Sequence, residues 1–210
     1  MRYLGLITAR GGSKRIPGKN IKLLGGYPLI WYTIHQALNS KLHDKYAGNM
    51  IALSTDDPMI LAAAQVYFTA TNSNGVIVPI ARPAALAQDD TEHIRVVRHA
   101  LEQFAPGAFD AVVTLHPTSP FRHSGDIDAI MNMFDRSGKN TVGVGPDGKR
   151  NAALYVTPVA ELLEEERTKI YNPDSIGCSM SENGSLDINT MEDWARAEEV
   201  ALKDKIIWTV

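Results

Sequence analysis

Four cationic side chains lie within ten residues near the start of the chain, at positions 10, 14, 15 and 19. They follow the apolar run 4–7 and are interleaved with glycines, which let the backbone approach an anion and turn its N–H groups toward it. Transfer at phosphorus depends on aligning the phosphates and neutralising their charge. We therefore predict that Arg10, Lys14 and Lys19 bind a triphosphate and are catalytic, whereas Arg15 is either a fourth ligand or a charge in solvent.

Two widespread phosphate-binding motifs do not fit this loop. A Walker A loop has four residues between its glycines and a Ser or Thr after its lysine, but five residues separate Gly12 from Gly18, and Asn20 follows Lys19. The dinucleotide pattern G-x-G-x-x-G is absent because no later glycine has the required spacing. The loop is therefore longer and more open than either motif, which suits a triphosphate that is to be split.

Residues 9–20, Ala-Arg-Gly-Gly-Ser-Lys-Arg-Ile-Pro-Gly-Lys-Asn, resemble the N-terminal signature of the CMP-sialic acid synthetases, or acylneuraminate cytidylyltransferases. The resemblance implies a Rossmann-like α/β nucleotidyltransferase fold. It also implies an enzyme that moves CMP from CTP to a nine-carbon 2-keto acid sugar and releases pyrophosphate. Within this signature the implied nucleotide-binding residues are Ala9, Arg10, Gly11, Gly12, Ser13 and Asn20.

Three further segments are similar to the same family, in the same order along the chain. Residues 81–89 resemble its Arg-Pro-x-x-Leu-Ala-x-Asp element, which implies base and ribose contacts from Arg82, Pro83 and Asp89. Residues 115–122 resemble Leu-Gln-Pro-Thr-Ser-Pro-Leu-Arg, and residues 151–156 resemble Asn-Gly-Ala-Ile-Tyr-Ile. The implied substrate-binding residues of these two segments are His116, Thr118, Ser119, Arg122 and Tyr155.

His116 replaces the glutamine that faces the sugar in the family. A histidine can donate, accept or carry charge, so His116 is expected to contact the sugar, and a role as a base is an alternative.

Asp187-Ile188-Asn189 resembles the family's Asp-Ile-Asp, whose carboxylates hold magnesium. Side chains two residues apart on an extended segment point to the same face. Magnesium prefers oxygen ligands and is usually held by one or two carboxylates together with substrate phosphates. The resemblance thus implies Mg²⁺ as cofactor and Asp187 and Asn189 as ligands. Because Asn189 brings no charge, either binding is weaker or another acid assists.

Strand and helix patterns alternate along most of the chain. The predicted strands are Tyr3–Thr8, Met50–Leu53, Val76–Ile80, Ala111–Leu115, Thr141–Val144, Ala152–Val156 and Ile176–Met180, and most of them are separated by predicted helices. This alternation predicts an α/β fold with a mostly parallel sheet and helices on both faces. In such sheets ligands bind at the carboxyl ends of the strands, where the loop, Ser54–Asp57 and residues 116–122 all fall.

The chain of 210 residues is predicted to form a single cytidylyltransferase domain over 1–210. Compared with the family, its sugar-binding and dimerisation portion, about 145–180, is short. Lys149 and Arg150 remain there as possible partners of an acidic sugar. An acidic helix over Pro158–Glu166 is also predicted, and the apolar tail 206–208 is either an added strand or a dimer contact.

Composition narrows the class of protein further. The chain is 44% apolar and 21% charged, and its net charge is −3, so general nucleic-acid or acidic-membrane binding is not expected. Only one cysteine is present, and no apolar run is long enough to span a membrane. We expect a cytoplasmic protein, and the resemblance implies a homodimer acting on CTP and an acidic sugar.

Two other functions stay open at this point. The same fold could act on another sugar acid or nucleotide, which the short segment and His116 suggest. The chain could instead be a nucleotide-binding homologue with weakened catalysis, which Asn189 suggests.

Overall fold

The computed structural model describes residues 1–73 and 75–203, so the apolar tail at 206–208 lies outside the described residues. The strands are β1 Tyr3–Thr8, β2 Leu23–Leu24, β3 Tyr27–Pro28, β4 Met50–Thr55, β5 Ile77–Ala81, β6 Ala111–Leu115, β7 Thr141–Val144, β8 Arg150–Pro158 and β9 Ile176–Ser179. The α-helices are α1 Leu29–Leu38, α2 Pro58–Ala70, α3 His93–Leu101, α4 Ser124–Ser137, α5 Val159–Leu162 and α6 Met191–Lys203.

Seven of these strands form one sheet in the order β5-β4-β1-β6-β8-β7-β9. β8 pairs antiparallel with both of its neighbours, β6 and β7, while the other neighbouring strands of the sheet are parallel. The predicted mostly parallel sheet is therefore confirmed. β1 and β6 lie side by side near its centre, so the loops after them meet at one edge.

Helices cover both faces of the sheet, as the sequence predicts. Side chains of β1 alternate between the faces: Tyr3 and Ile7 pack with apolar residues of α1, α2 and α4, whereas Leu4 and Leu6 pack with those of α3. This period-two alternation is what a strand buried on both sides requires. No helix in the described ranges is both long and apolar enough to cross a membrane.

The acidic helix predicted over Pro158–Glu166 is wrong in extent, because α5 makes a single turn over Val159–Leu162. The guanidinium of Arg98 on α3 donates from Nε to the carbonyl of Leu162 at 2.6 Å and from Nη2 to the carbonyl of Glu164. Side chains commonly satisfy the free carbonyls at the end of a helix in this way. The contact with α3 thus caps α5 where it stops, short of the predicted extent.

α6 closes the structure beside the predicted metal segment. Thr190 and Asp193 form a reciprocal cap: the backbone N–H of Thr190 donates to the Asp193 carboxylate at 2.8 Å, and that of Asp193 donates to the Thr190 hydroxyl at 3.2 Å. This is the pairing that the spacing of the two residues indicates. The backbone N–H of Ile188 also donates to the carbonyl of Thr118 at 2.8 Å, so the segment before α6 lies against the loop that follows β6.

Candidate active site

A cavity of 270 Å³ opens at the carboxyl ends of the central strands. Three segments far apart in the sequence line it: the loop after β1, the stretch after β5 and the loop after β6. The predicted site residues among its lining are Arg10, Ser13, Lys19, Asn20, Arg82, Asp89, His116 and Thr118. The structure thus brings eight of the predicted residues together around one space.

The loop after β1 is held at both ends. The backbone N–H of Ala9 donates to the carbonyl of Ser54 at 3.0 Å, and the side-chain amide of Asn20 donates to the carbonyl of Arg10 at 2.8 Å. Ala9 is fully buried, so it supports the loop from below rather than lining the cavity. Asn20 lies at the edge of the cavity and fixes the backbone that carries Arg10.

Two glycines of this loop are required by its geometry. A Cβ at Gly11 would lie 2.6 Å from a carboxylate oxygen of Asp57. The backbone N–H of Gly11 donates to the carboxylate of Asp56 at 3.1 Å. Gly18 has φ +62°, a left-handed conformation that side chains disfavour. Gly12 faces open space, so the structure assigns it no comparable constraint.

Asp89 binds two of the predicted phosphate ligands. Its carboxylate accepts from the guanidinium of Arg10 and pairs with the ammonium of Lys14, both at 2.5 Å. These hydrogen bonds, that from Lys14 first, lower the pKa of Asp89. The carboxylate therefore holds both cations at the mouth of the cavity, and an incoming triphosphate would compete with it for them.

Lys19 reaches deeper than the other cations of the loop. Its ammonium donates to the carbonyl of Ile188 at 2.8 Å. Burial lowers its pKa, while the charge of nearby Asp187 opposes that change. Lys19 therefore connects the cavity to the predicted metal segment.

Arg82 forms part of the cavity wall and is itself buried. It donates from Nε to the hydroxyl of Ser54 at 3.1 Å and from Nη2 to the carbonyl of Ser54 at 2.7 Å. Burial lowers its pKa to about 10, so the group is charged at neutral pH. Pro83 does not line the cavity; it precedes the short 3-10 helix Ala84–Leu86, which carries the wall toward Asp89.

Two histidines lie together at the floor of the cavity. The rings of His116 and His93 have centroids 4.4 Å apart, and His93 Nε2 lies 3.1 Å from the hydroxyl of Thr8. Within the described chain, His93 Nδ1 and His116 Nε2 are buried atoms without a hydrogen-bond partner. Burial and then the charge of Arg122 lower the pKa of His116 to about 4, so the imidazole is neutral at pH 7.

Arg122 is not a cavity residue, and this corrects the prediction that it contacts the sugar. It is 1% exposed, and its guanidinium donates to the carbonyl of Ala153 and to the side chains of Thr33 and Gln36. The side chain turns inward because these acceptors of α1 and β8 lie behind the loop. Ser119 is likewise fully buried, so it too lies away from the substrate space predicted for it.

Tyr155 stands behind His116 instead of facing the cavity. Its ring meets that of His116 edge-on at 5.9 Å and stacks on Tyr171 at 6.0 Å. Burial raises the pKa of its phenol to about 12, so the hydroxyl stays protonated. Tyr155 therefore forms a wall for His116, and a direct contact with substrate stays a prediction.

A second cavity, of 590 Å³, adjoins the metal segment and is lined by residues of both charges, among them Asp187, Lys149, Arg150 and Arg196. The side-chain amide of Asn189 donates to Asp187 Oδ2 at 2.7 Å. Asp187 Oδ1 is buried and has no partner among the described residues. Oδ1 of Asp187 is therefore available to a ligand, while the side chain of Asn189 is used in a hydrogen bond to Oδ2 of the same carboxylate.

A model of the cytidylyltransferase family matches residues 4–191, which is most of the chain. The chain belongs to the cytidylyltransferase family. It is 32% identical over 241 aligned positions to a CMP-N,N'-diacetyllegionaminic acid synthase of Legionella pneumophila, covering 95% of this chain and 96% of that protein. The predicted membership of the CMP-sialic acid synthetase-like family is confirmed, and this cytidylyltransferase is an enzyme.

Other proteins similar to this cytidylyltransferase are named after related sugars. It is 39% identical to a pseudaminic acid cytidylyltransferase of Campylobacter jejuni over 122 positions, which are 57% of this chain and 47% of that protein. Among solved structures, a CMP:2-keto-3-deoxy-manno-octonic acid synthetase complexed with CTP superposes with a TM-score of 0.72 at 12% identity, covering 97% of this chain and 100% of that one. The structural likeness confirms the Rossmann-like nucleotidyltransferase fold.

The sequence reasoning missed several residues of the cavity, of which Thr8, Thr91 and His93 contribute polar atoms. His93 is the first residue of α3. The signal that could have found it is a histidine at the start of a helix that follows a strand's carboxyl end. Such a helix start faces the edge of the sheet where ligands bind.

Proposed function

We propose that this enzyme transfers CMP from CTP to a nonulosonic acid and releases pyrophosphate. The observation that carries the proposal is the single cavity in which the cations of the loop, Arg82 and the polar residues after β6 face one another. Its volume of 270 Å³ is near the lower end of the range for small-molecule sites, about 300 Å³. The cavity therefore suits part of a nucleotide, with the phosphates at its charged mouth.

The residues have distinct roles in this reaction. Arg10 and Lys14 exchange their ion pairs with Asp89 for phosphate oxygens, which aligns the triphosphate. Lys19, fixed through Ile188, places a cation where negative charge increases as the phosphorus is attacked. The sugar hydroxyl attacks the α-phosphorus, and pyrophosphate leaves with the electron pair of the broken bond.

We also propose Mg²⁺ as the cofactor. Asp187 Oδ1, a buried oxygen without a partner among the described residues, fits one protein ligand of such an ion. No group of three or more His, Cys, Asp or Glu side chains in the described chain forms a metal site, so substrate oxygens and water would complete the shell, as is usual for Mg²⁺. When bound, the ion would neutralise phosphate charge.

Asn189→Asp is expected to tighten Mg²⁺ binding several-fold in the presence of CTP. A second carboxylate adds charge to the site, and the amide that now binds Asp187 Oδ2 is removed. Titration of Mn²⁺ by electron paramagnetic resonance with and without CTP measures the effect. Asn183→Asp, an equivalent change in the nearby turn, is the matched control. Equal Mn²⁺ affinity of the Asn189→Asp variant and the wild type would remove Asn189 from the metal site.

The function is tested by pyrophosphate release from CTP with a panel of sugar acids. The panel contains N-acetylneuraminic, N,N'-diacetyllegionaminic and pseudaminic acids and 3-deoxy-manno-octulosonic acid. We expect turnover with at least one nine-carbon acid and none with GTP, ATP or UTP. Turnover with the eight-carbon acid alone would correct the sugar class, and CTP binding without any turnover would support a catalytically weakened homologue.

The proposal includes a homodimer in the cytoplasm. The family resemblance supports the dimer, and a lone buried cysteine, Cys178, is consistent with a reducing compartment. Size-exclusion chromatography with light scattering decides the oligomeric state: a mass near twice 23.0 kDa is expected, and a monomer at assay concentration would contradict the dimer.

A further inference from the structure

His116 and His93 are the polar groups at the cavity floor that the phosphate contacts leave unused. His116 lines the cavity, and none of its ring atoms forms a hydrogen bond with the described residues, although its Nε2 is buried. A buried polar atom without a partner is costly. Such an atom beside a substrate cavity is therefore a candidate for a group that acts on the ligand.

His116 lies between the nucleotide cavity and the segment predicted to bind the metal. Its loop is joined to the metal segment by the hydrogen bond from Ile188 N–H to the carbonyl of Thr118, two residues further along. Lys19, whose ammonium binds the other side of that segment, is close enough to act on the charge of His116. His116 therefore stands where the nucleotide cavity meets the Asp187 segment.

The segment 187–189 also has no carboxylate at position 189 that could take a proton. Position 189 carries an amide, and the amide donates to Asp187. An imidazole stands instead at position 116. The geometry points to His116 as the general base that takes the proton of the attacking sugar hydroxyl, with His93 as the residue that positions it. This inference rests on the proposed function.

The step balances in atoms and electrons. The sugar oxygen forms a bond to the α-phosphorus, and its proton passes to an unprotonated ring nitrogen of His116. The bond from the α-phosphorus to the bridging oxygen breaks, and pyrophosphate leaves with that electron pair. His116 then loses the proton to solvent, which restores the neutral imidazole.

The charges around His116 keep it ready for this role. In the ligand-free enzyme burial and the cations Arg122, Arg82 and Lys19 hold its pKa at about 4, so the base is unprotonated at neutral pH. Its other ring neighbours are His93 and Tyr155, whose phenol remains uncharged. A triphosphate and an acidic sugar add negative charge to the site, which raises the pKa and strengthens the base when both substrates are bound.

His93 restricts the orientation of His116. The two rings lie 4.4 Å apart, and the 3.1 Å contact between His93 Nε2 and the Thr8 hydroxyl fixes His93 to the end of β1. Tyr155 also meets the His116 ring, edge-on at 5.9 Å. Contacts with two other rings limit the orientations of the imidazole, as a base that must meet one substrate atom requires.

The test compares His116→Gln, which installs an amide of similar length, with the wild type. As a general base contributes about 10²–10⁴-fold, kcat for the best sugar of the panel is expected to fall at least about 10²-fold, while the Kd of CTP stays unchanged. Wild-type kcat should decline as the pH is lowered through the pKa of His116 in the substrate complex, and the variant should lack this decline. Added imidazole should partly restore His116→Ala.

The matched control is His43→Gln, a change at an exposed histidine that lines neither cavity, and it should retain wild-type kcat and pH profile. His93→Ala should lower kcat less than His116→Gln does, and it should shift the pH at which kcat declines on the acid side. His93→Gln should restore part of the lost kcat. Wild-type kcat in His116→Gln, or a raised KM for the sugar with unchanged kcat, would overturn the base and leave the proposed function standing. Absence of turnover by the wild type would overturn both.

Discussion

Lys19→Met is expected to lower kcat by about 10²–10³-fold, the loss typical when one preorganised charge donor is removed from a transition state. Lys19 lines the nucleotide cavity, and its ammonium is fixed on the carbonyl of Ile188 at 2.8 Å. Methionine keeps the apolar stem and removes the charge. Because the ammonium is already fixed in place in the wild type, its loss should lower kcat more than it weakens CTP binding.

The experiment measures kcat, KM and the melting temperature of the same preparations. Lys22→Met is the matched control, because Lys22 is exposed and its ammonium lies 5.1 Å from the ring of Trp194; it should retain wild-type kcat. Lys14→Met should have an intermediate effect, since Lys14 is 83% exposed and pairs with Asp89 at the cavity mouth. A Lys19→Met enzyme with normal kcat and a lowered melting temperature would reduce Lys19 to a structural role.

Arg122→Ala is expected to reduce the free energy of unfolding by about 2–5 kcal/mol, because it removes a large buried side chain and leaves its neutral acceptors unpaired. The side chain is 1% exposed and spans α1, β8 and the loop after β6. Truncation leaves the carbonyl of Ala153 and the side-chain oxygen of Gln36 without this donor, and it opens a cavity. Against a usual total of about 5–15 kcal/mol, this loss is large.

Urea denaturation followed by circular dichroism measures the change. Arg136→Ala removes an exposed arginine from α4 and should change stability by less than about 0.5 kcal/mol. Burial lowers the pKa of Arg122 only to about 10, so the contribution should be constant through neutral pH. A stable Arg122→Ala protein with a raised KM for the sugar would instead restore the original prediction that Arg122 binds substrate.

The sequence predicts the frame of this enzyme closely. Strands Tyr3–Thr8, Ala111–Leu115 and Thr141–Val144 have the observed bounds. Buried strands between helices give strong local patterns, since their side chains must be apolar on both faces. The prediction is less accurate beside a long-range contact: α5 makes one turn and stops where Arg98 of α3 donates to the carbonyl of Leu162.

The candidate site was predictable in part for the same reason. The motifs identify loops that follow strands, and parallel strands bring those loops to one edge, so Arg10, Lys19, Arg82 and His116 meet as expected. A motif does not specify which way each side chain of a loop turns. Arg122 belongs to the same matched segment as His116, yet it turns inward to acceptors of α1 and β8.

The cationic loop, the α/β alternation and the family are thus determined by the sequence itself, because they depend on residue types at short spacing. The tertiary structure alone decided three other features: Asp89 holds Arg10 and Lys14, Asn189 donates to Asp187, and the ring of His93 lies 4.4 Å from that of His116. Two of the three join segments tens of residues apart, and the third depends on which way an amide turns. Such contacts follow from packing across the sheet, which no local pattern encodes.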